Sequence, residues 1–240
     1  MRSSSDISKQ SGGTDCKEER LRRDHNCFGP GEILVLGIGP GDESLIAPMA
    51  IEAMKKADVV AGYKTYLDLI TPYLEGKEVI GTGMMQEVAR CEAALEAAIA
   101  GKKVVVVSSG DAGVYAMAGL VLELALEVEP EKRPLIQIVP GISAVNAAAA
   151  LLGAPLMHDF AVISLSDLMT SWDVIEKRLH MAAEGDFVVA LYNPKSKKRT
   201  WQIEKVQEIF LQCRAENTPV GIVRQAYREE QSVTLSTLKE

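Results

Sequence analysis

The stretch KVVVVSSGDAGVY, Lys103–Tyr115, decides the fold class. Its opening run shows no alternation of apolar and polar side chains. A strand with one wet face would alternate, whereas this pattern fits a strand buried on both faces of a parallel sheet. The glycine-rich turn SSGDAG follows at once. In open α/β sheets, ligands bind beyond the carboxyl ends of the strands. Gly110 and Gly113 let the backbone come close to such a ligand. Asp111 has two readings that the residues leave open. It contributes to a ligand-binding turn, or it caps the helix expected from Val114 to about Val128.

Working outward, short apolar runs alternate with helical patterns. Toward the amino end, strands are expected at Ile33–Ile38, Asp58–Ala61 and Glu78–Ile80. Helices are expected from Pro48 to about Lys56, over Thr65–Tyr73 and over Gln86–Ala100. Pro48 suits a first helical turn, and Gly101 closes the last of these helices. Toward the carboxyl end, a strand at Leu135–Val139 is followed by a small-residue helix, Ser143–Leu152. A second half then shows strands at Phe160–Ser164, Phe187–Leu191, Val220–Val223 and Val233–Leu235. Helices lie between them, near Ser171–Ala183 and Arg199–Cys213. This alternation implies an α/β protein, mainly parallel in its first half. Two α/β domains are expected, 32–150 and 151–240, behind a disordered tail, 1–31, rich in Ser, Gly and charge. Glu240 falls soon after a strand-like run, which leaves open a C-terminal domain short of one element.

The 240 residues are 47% apolar and 25% charged, with a formal net charge of −7. That balance argues against a nucleic-acid partner. The densest basic run, Lys195, Lys197, Lys198 and Arg199, is short and suits an anionic small molecule. Cys16, Cys27, Cys91 and Cys213 lack zinc-site spacing, and His25, His158 and His180 are isolated, so no protein-bound metal is expected. The first 31 residues lack the apolar segment of a secretory signal. Ala144–Leu156 is too short to span a bilayer. A soluble, cytoplasmic chain without membrane contact is the expectation.

Three further turns carry candidate chemistry. Gly37-Ile38-Gly39-Pro40-Gly41-Asp42 follows the first strand but fails the dinucleotide fingerprint. Gly41 comes two positions after Gly39 rather than three, and Pro40 removes a backbone donor. It remains either a plain connection or a turn presenting backbone and the Asp42 carboxylate. Pro140-Gly141-Ile142-Ser143-Ala144 follows another strand, with Ser143 placed as an N-cap. Ala190–Arg199, ALYNPKSKKR, follows a strand of the second half. Glycine turns after separate strands should gather at one sheet edge and shape one cleft. These residues alone imply an α/β enzyme with a cleft between two halves.

The four turns, in this order, resemble the tetrapyrrole (corrin/porphyrin) methylase family. GYKTYLDLI (Gly62–Ile70), SSGDAGVYAMA (Ser108–Ala118), VPGISAVNAAAALLGAPL (Val139–Leu156), HDFAVISLSDLMTSWDVIEKRL (His158–Leu179) and ALYNPKSKKR are similar to its precorrin-3B C(17)-methyltransferase subfamily. The resemblance implies S-adenosylmethionine as methyl donor, held between two domains of a homodimeric enzyme, and a precorrin or cobalt-precorrin substrate. By position it implies cofactor contacts at Gly110, Asp111, Ala112, Val114, Tyr115, Ser143, Ala144, Tyr192, Asn193 and Ala226. Substrate contacts fall at Gly39, Pro40, His158, Ser164, Lys195 and Arg199, with Lys197 and Lys198 as further cations. Acid/base roles fall to Asp42 and Lys64, provided that burial moves their pKa values toward neutrality. The chain departs from the family where Ala47 replaces the usual threonine cap, and the family normally continues beyond residue 240. The rival readings are a sister methylase acting on another carbon, a non-catalytic binding module, and a nicotinamide oxidoreductase.

Overall fold

The computed structural model describes residues 31–196 and 199–240. The expected tail, apart from Gly31, lies outside these residues, as do Lys197 and Lys198. Five parallel strands form the main sheet: β1 (Glu32–Gly37), β2 (Val59–Tyr63), β3 (Glu78–Thr82), β4 (Lys103–Ser108) and β5 (Leu135–Val139), in the order β3-β2-β4-β1-β5. Gly31 extends the pairing, its carbonyl accepting from the Leu135 amide.

The apolar run of β4 is explained by what covers each side. Val104 and Val106 join one core with α3 (Glu87–Ile99) and α4 (Met117–Leu126). Val105 and Val107 join another with α1 (Pro48–Lys56) and α2 (Lys64–Asp68). All four valines are at most 1% exposed. Removing each from water contributes about 1.5–3 kcal/mol, which is why no polar residue interrupts the run.

Local chemistry sets several boundaries. Ala47 occupies the N-cap of α1 without a side-chain hydrogen bond, as the missing threonine predicts. The helix expected over Thr65–Tyr73 is instead α2 followed by a separate 3-10 turn, Thr71–Tyr73. Pro72 explains the break, because its ring opposes the carbonyl four residues earlier and it carries no amide hydrogen. The helix expected from Val114 starts only at Met117, because the turn before it leaves the helical region at Tyr115, where φ is +51°.

Beyond α5 (Ala144–Leu151), strands β6 (Phe160–Ser164) and β7 (Val188–Tyr192) pair in parallel, with α6 (Trp172–Glu184) between them. After α7 (Gln202–Leu211) comes an antiparallel hairpin of β8 (Pro219–Arg224) and β9 (Ser232–Thr237). Leu165, Ile175, Leu179 and Ile209 form the core under α6 and α7. The second half therefore contains two separate strand pairs among the described residues, where one sheet is the simpler expectation. No helix among these residues is long and apolar enough to cross a membrane.

Candidate active site

Strand order brings the glycine turns together. β4, β1 and β5 are neighbours, so the turns that follow them leave the sheet side by side at its carboxyl edge. The Gly39 amide donates to the Gly110 carbonyl at 3.1 Å, and the Gly110 amide returns a bond to Gly39 at 2.8 Å. Both glycines sit at positive φ, +72° and +69°, which side-chain-bearing residues rarely adopt. The first and third turns flank an open groove of about 310 Å³, lined by Ser44–Pro48 and Pro140–Ile142.

Asp111 ties the second turn to the third. Its Oδ1 accepts from the Gly113 amide at 2.8 Å and its Oδ2 from the Gly141 amide at 2.9 Å. The capping alternative fails. The N-cap of α4 is Ala116, five residues on, and has no side-chain cap. Ser143 does stand at the N-cap of α5 and is buried, but its hydroxyl makes no capping bond.

Two tyrosines, one from each half, join the second half to this edge. Tyr192, last in β7, accepts at its hydroxyl from the Val145 amide in the first turn of α5, at 3.0 Å. Tyr115 donates in the opposite direction, to the Val162 carbonyl of β6 at 3.0 Å. Their rings meet with centroids 5.2 Å apart, tilted by 52°. Tyr115 stays half exposed. Of the seven non-glycine residues with positive φ among the described residues, four lie in the turns after β4 and β7 and between β8 and β9: Tyr115, Asn193, Gln225 and Tyr227. Such conformations cost about 1–3 kcal/mol each and gather where a site constrains the chain.

The remaining expected contacts divide. Ala112 is buried, while Val114 and Ala144 flank the clasp near the surface. Gly39 and Pro40 are buried in the first turn. Asn193 donates from Nδ2 to Ser164 Oγ at 2.9 Å, joining the ends of β6 and β7. Arg199 is turned inward: its Nε donates to the Asn193 carbonyl at 3.3 Å, and its Nη1 lies 3.9 Å from Asp167. Its side chain is only 12% exposed, so its first role is to hold the Asn193 turn. Lys195 is exposed. His158 precedes β6 whereas Ser164 ends it. About 3.3 Å per residue separates the two by roughly 15–20 Å, so they do not share the carboxyl edge.

Asp42 and Lys64 both follow strands at the carboxyl edge, but β4 separates β1 from β2. At about 4.8 Å between strands, the two turns start roughly 10 Å apart. Lys64 opens α2 and is exposed, lying over Gly81. Asp42 caps the 3-10 turn Glu43–Leu45, accepting from the Ser44 hydroxyl at 2.6 Å and the Ser44 amide at 2.8 Å. These bonds, the hydroxyl's first, hold the Asp42 carboxyl below its ordinary value of 3.8. Burial does not raise it toward neutrality, contrary to the condition that the sequence suggests for acid catalysis. The sign is that of a depressed carboxylate: the cap is complete above pH about 4 and is lost as acid titrates through the lowered value. Burial pushes the Cys91 thiol up to about 11, so it is protonated and unreactive at neutral pH. No three His, Cys, Asp or Glu side chains among the described residues are grouped to hold a metal ion.

Sequence reasoning missed Arg228. It lies between β8 and β9, two residues after Ala226, and it reaches back to the first half. Its Nε donates to the Pro40 carbonyl at 2.7 Å and its Nη2 to Ser109 Oγ at 3.1 Å. Nothing in the polar run RQAYREEQ sets this arginine apart from a solvated loop cation. The one available signal is its partner: Gly41, where a side chain would collide with the stem of Arg228.

A parallel sheet with glycine turns gathered at its carboxyl edge, clasped there by Tyr192 and Arg228 from the second half, defines an α/β protein with a candidate ligand site at that edge. Residues 32–240 match the family of Tetrapyrrole (Corrin/Porphyrin) Methylases, and the chain belongs to that family. It is 50% identical over 212 residues to the cobalt-factor III methyltransferase of Priestia megaterium, with 88% of this chain and 39% of that protein covered. It therefore spans well under half of that longer relative. It is 49% identical to the probable cobalt-factor III C(17)-methyltransferase of Salmonella typhimurium, covering 85% of this chain and 84% of the relative. Among solved structures, the methyltransferase CobJ superimposes with a TM-score of 0.82 at 43% identity, covering 88% of this chain and 87% of that one.

Proposed function

We propose that this chain methylates carbon 17 of a corrin precursor with S-adenosylmethionine as donor, accompanied by contraction of the macrocycle, in cobalamin biosynthesis. The observation that carries the reading is the convergence of the three glycine turns with Tyr192 and Arg228 of the second half. The likeness to two proteins named for cobalt-factor III favours a cobalt-containing macrocycle over a metal-free precorrin. In this reading the sequence divides near residue 150 into two domains, and the donor and macrocycle meet between them. The enzyme acts as a soluble cytoplasmic homodimer.

The residues suit the donor. The half-exposed face of Tyr115 offers a stacking surface for a nucleoside. The backbone of Gly110–Val114, Ser143 and Ala144 offers donors and acceptors with little side-chain obstruction, and Tyr192, Asn193 and Ala226 close the opposite side. The donor supplies an already activated methyl group, so the protein's task is alignment of a ring carbon with it at about 3–3.5 Å. The chain's own residues hold the macrocycle in register, exclude water and move protons during contraction. Gly39, Pro40 and Ser164 stand at that edge, with Lys195 and Arg199 as cations near its carboxylates. Lys64 and Asp42 flank it on either side of β4.

Calorimetric titration with S-adenosylhomocysteine should show saturable binding near one site per chain. Anaerobic incubation with donor and a cobalt-precorrin substrate should yield a product heavier by one methyl group. Binding without transfer would make the chain a non-catalytic binding module, and no binding by folded protein would overturn the reading.

Asp42→Asn separates the two roles of that residue. Asparagine keeps the oxygen that caps Ser44, so folding and S-adenosylhomocysteine affinity should hold. If Asp42 takes up a proton during contraction, kcat falls by about 10²-fold or more. Unchanged turnover reduces Asp42 to a cap.

A further inference from the structure

Arg228 is a partly buried cation among neutral partners. Its two hydrogen bonds go to a carbonyl, Pro40, and a hydroxyl, Ser109. Two other inward-turned arginines have carboxylates beside them: Arg214 has Asp186 at 2.5 Å, and Arg199 has Asp167 at 3.9 Å. Arg133, like Arg228, bonds only neutral oxygens, but its partners are the Leu126 and Val128 carbonyls at the end of α4, away from the glycine turns. No carboxylate among the described residues pairs with Arg228. A guanidinium stays protonated at any physiological pH and carries five N–H donors, of which these contacts use two. Withdrawing a charge from water without an internal counter-charge is unfavourable unless something else compensates it.

The placement says what that something is. The stem of Arg228 lies against Gly41, where any Cβ would meet its Nε at 2.8 Å. The guanidinium thus bridges the first and second glycine turns, on the edge where the ligands are placed. Two fixed bonds pre-organise the fork, so ordering it on ligand binding costs little. Lys64 and Lys195, by contrast, are exposed point charges on flexible stems.

We propose that Arg228 is the carboxylate-docking residue of this site, its unused N–H face receiving a ligand carboxylate while its other donors lock the two turns. This inference rests on the methylase reading for its ligands, which offer carboxylates from two sources, the macrocycle and the amino-acid tail of the donor. The test uses full-length protein and two probes: uroporphyrin III, a polycarboxylate macrocycle, and S-adenosylhomocysteine, with 5′-methylthioadenosine as its carboxylate-free counterpart. Arg228→Gln should weaken one carboxylate probe by about tenfold or more, the loss of a charge-assisted contact. Arg228→Lys, which keeps the charge, should recover part of that affinity. A macrocycle source appears as weaker uroporphyrin III binding, and as a raised KM with little change in kcat. A donor source appears as weaker S-adenosylhomocysteine binding with 5′-methylthioadenosine unaffected. A purely structural lock lowers the melting temperature and leaves all three affinities within about twofold, and that result overturns the proposal. Failure of the unsubstituted protein to bind S-adenosylhomocysteine would count against the methylase reading alone. Uroporphyrin III binding would still decide the role of Arg228.

Discussion

Gly141→Ala is expected to abolish S-adenosylhomocysteine binding and to lower stability by about 3 kcal/mol or more. The reason is what a methyl group at this position would strike. It would overlap the Gly110 carbonyl oxygen, and it would lie 2.7 Å from the Gly37 carbonyl oxygen and 2.8 Å from its carbon. All three are backbone atoms, and none belongs to a flexible side chain. Each is also pinned. Gly37 is in register with Ser108 across β1 and β4, and Gly110 exchanges two hydrogen bonds with Gly39. Gly141 itself is held by Asp111. Relief therefore requires one of the three turns to leave the sheet edge, where the second and third form the proposed donor site and the first holds them in register. Gly119→Ala is the matched control. Gly119 lies in α4, its φ is not positive, and a Cβ there meets nothing within 4 Å. That substitution should stabilise by up to about 1 kcal/mol through helix propensity. Thermal denaturation of the two variants and calorimetry on the folded fraction check the pair. Comparable melting temperatures would mean that the turns are not the rigid junction inferred here.

How much of this was legible in the sequence follows from how local each cause is. Lys103–Ser108 is a strand in the structure with the bounds that its composition implies, because burial on both faces leaves an unbroken apolar run. Leu135–Val139 and Phe160–Ser164 likewise match, the first bounded by Pro134 and Pro140 and the second preceded by Asp159. The gathering of the glycine turns was legible from their positions after separate strands. The adjacency of β4, β1 and β5 that makes it real is a tertiary outcome with no local mark. The function of Asp111 was ambiguous because an aspartate before a helix is commonly a cap. Only the left-handed Tyr115 and the later start of α4 free it to hold Gly141. Arg228 was invisible because its partners lie 188 and 119 positions away. His158 and Ser164 looked alike as polar residues around one strand, but strand direction sends them to opposite ends.

Asp111→Ala should destabilise the chain by about 2–4 kcal/mol and weaken S-adenosylhomocysteine binding by 10²-fold or more, on the scale of two lost charge-assisted hydrogen bonds. Its two oxygens serve different turns, Gly113 in its own and Gly141 in the next, so one side chain sets the distance between them. Alanine leaves the Gly141 amide, in a partly buried setting, without its acceptor. Asparagine is not a conservative replacement, because it keeps one acceptor and turns an NH₂ group toward an amide that also donates. Asp111→Asn should therefore show at least half of the alanine effect. The location of the damage distinguishes this linkage from helix capping. Amide exchange should accelerate at Gly113 and Gly141 while the first turn of α4, at Met117 and Ala118, keeps its protection. A cap would produce the reverse, loosening α4 and sparing Gly141. Should the α4 amides loosen first, Asp111 would be stabilising a helix. The coupling of the second and third turns would then rest on Gly37, Gly110 and Gly141 alone.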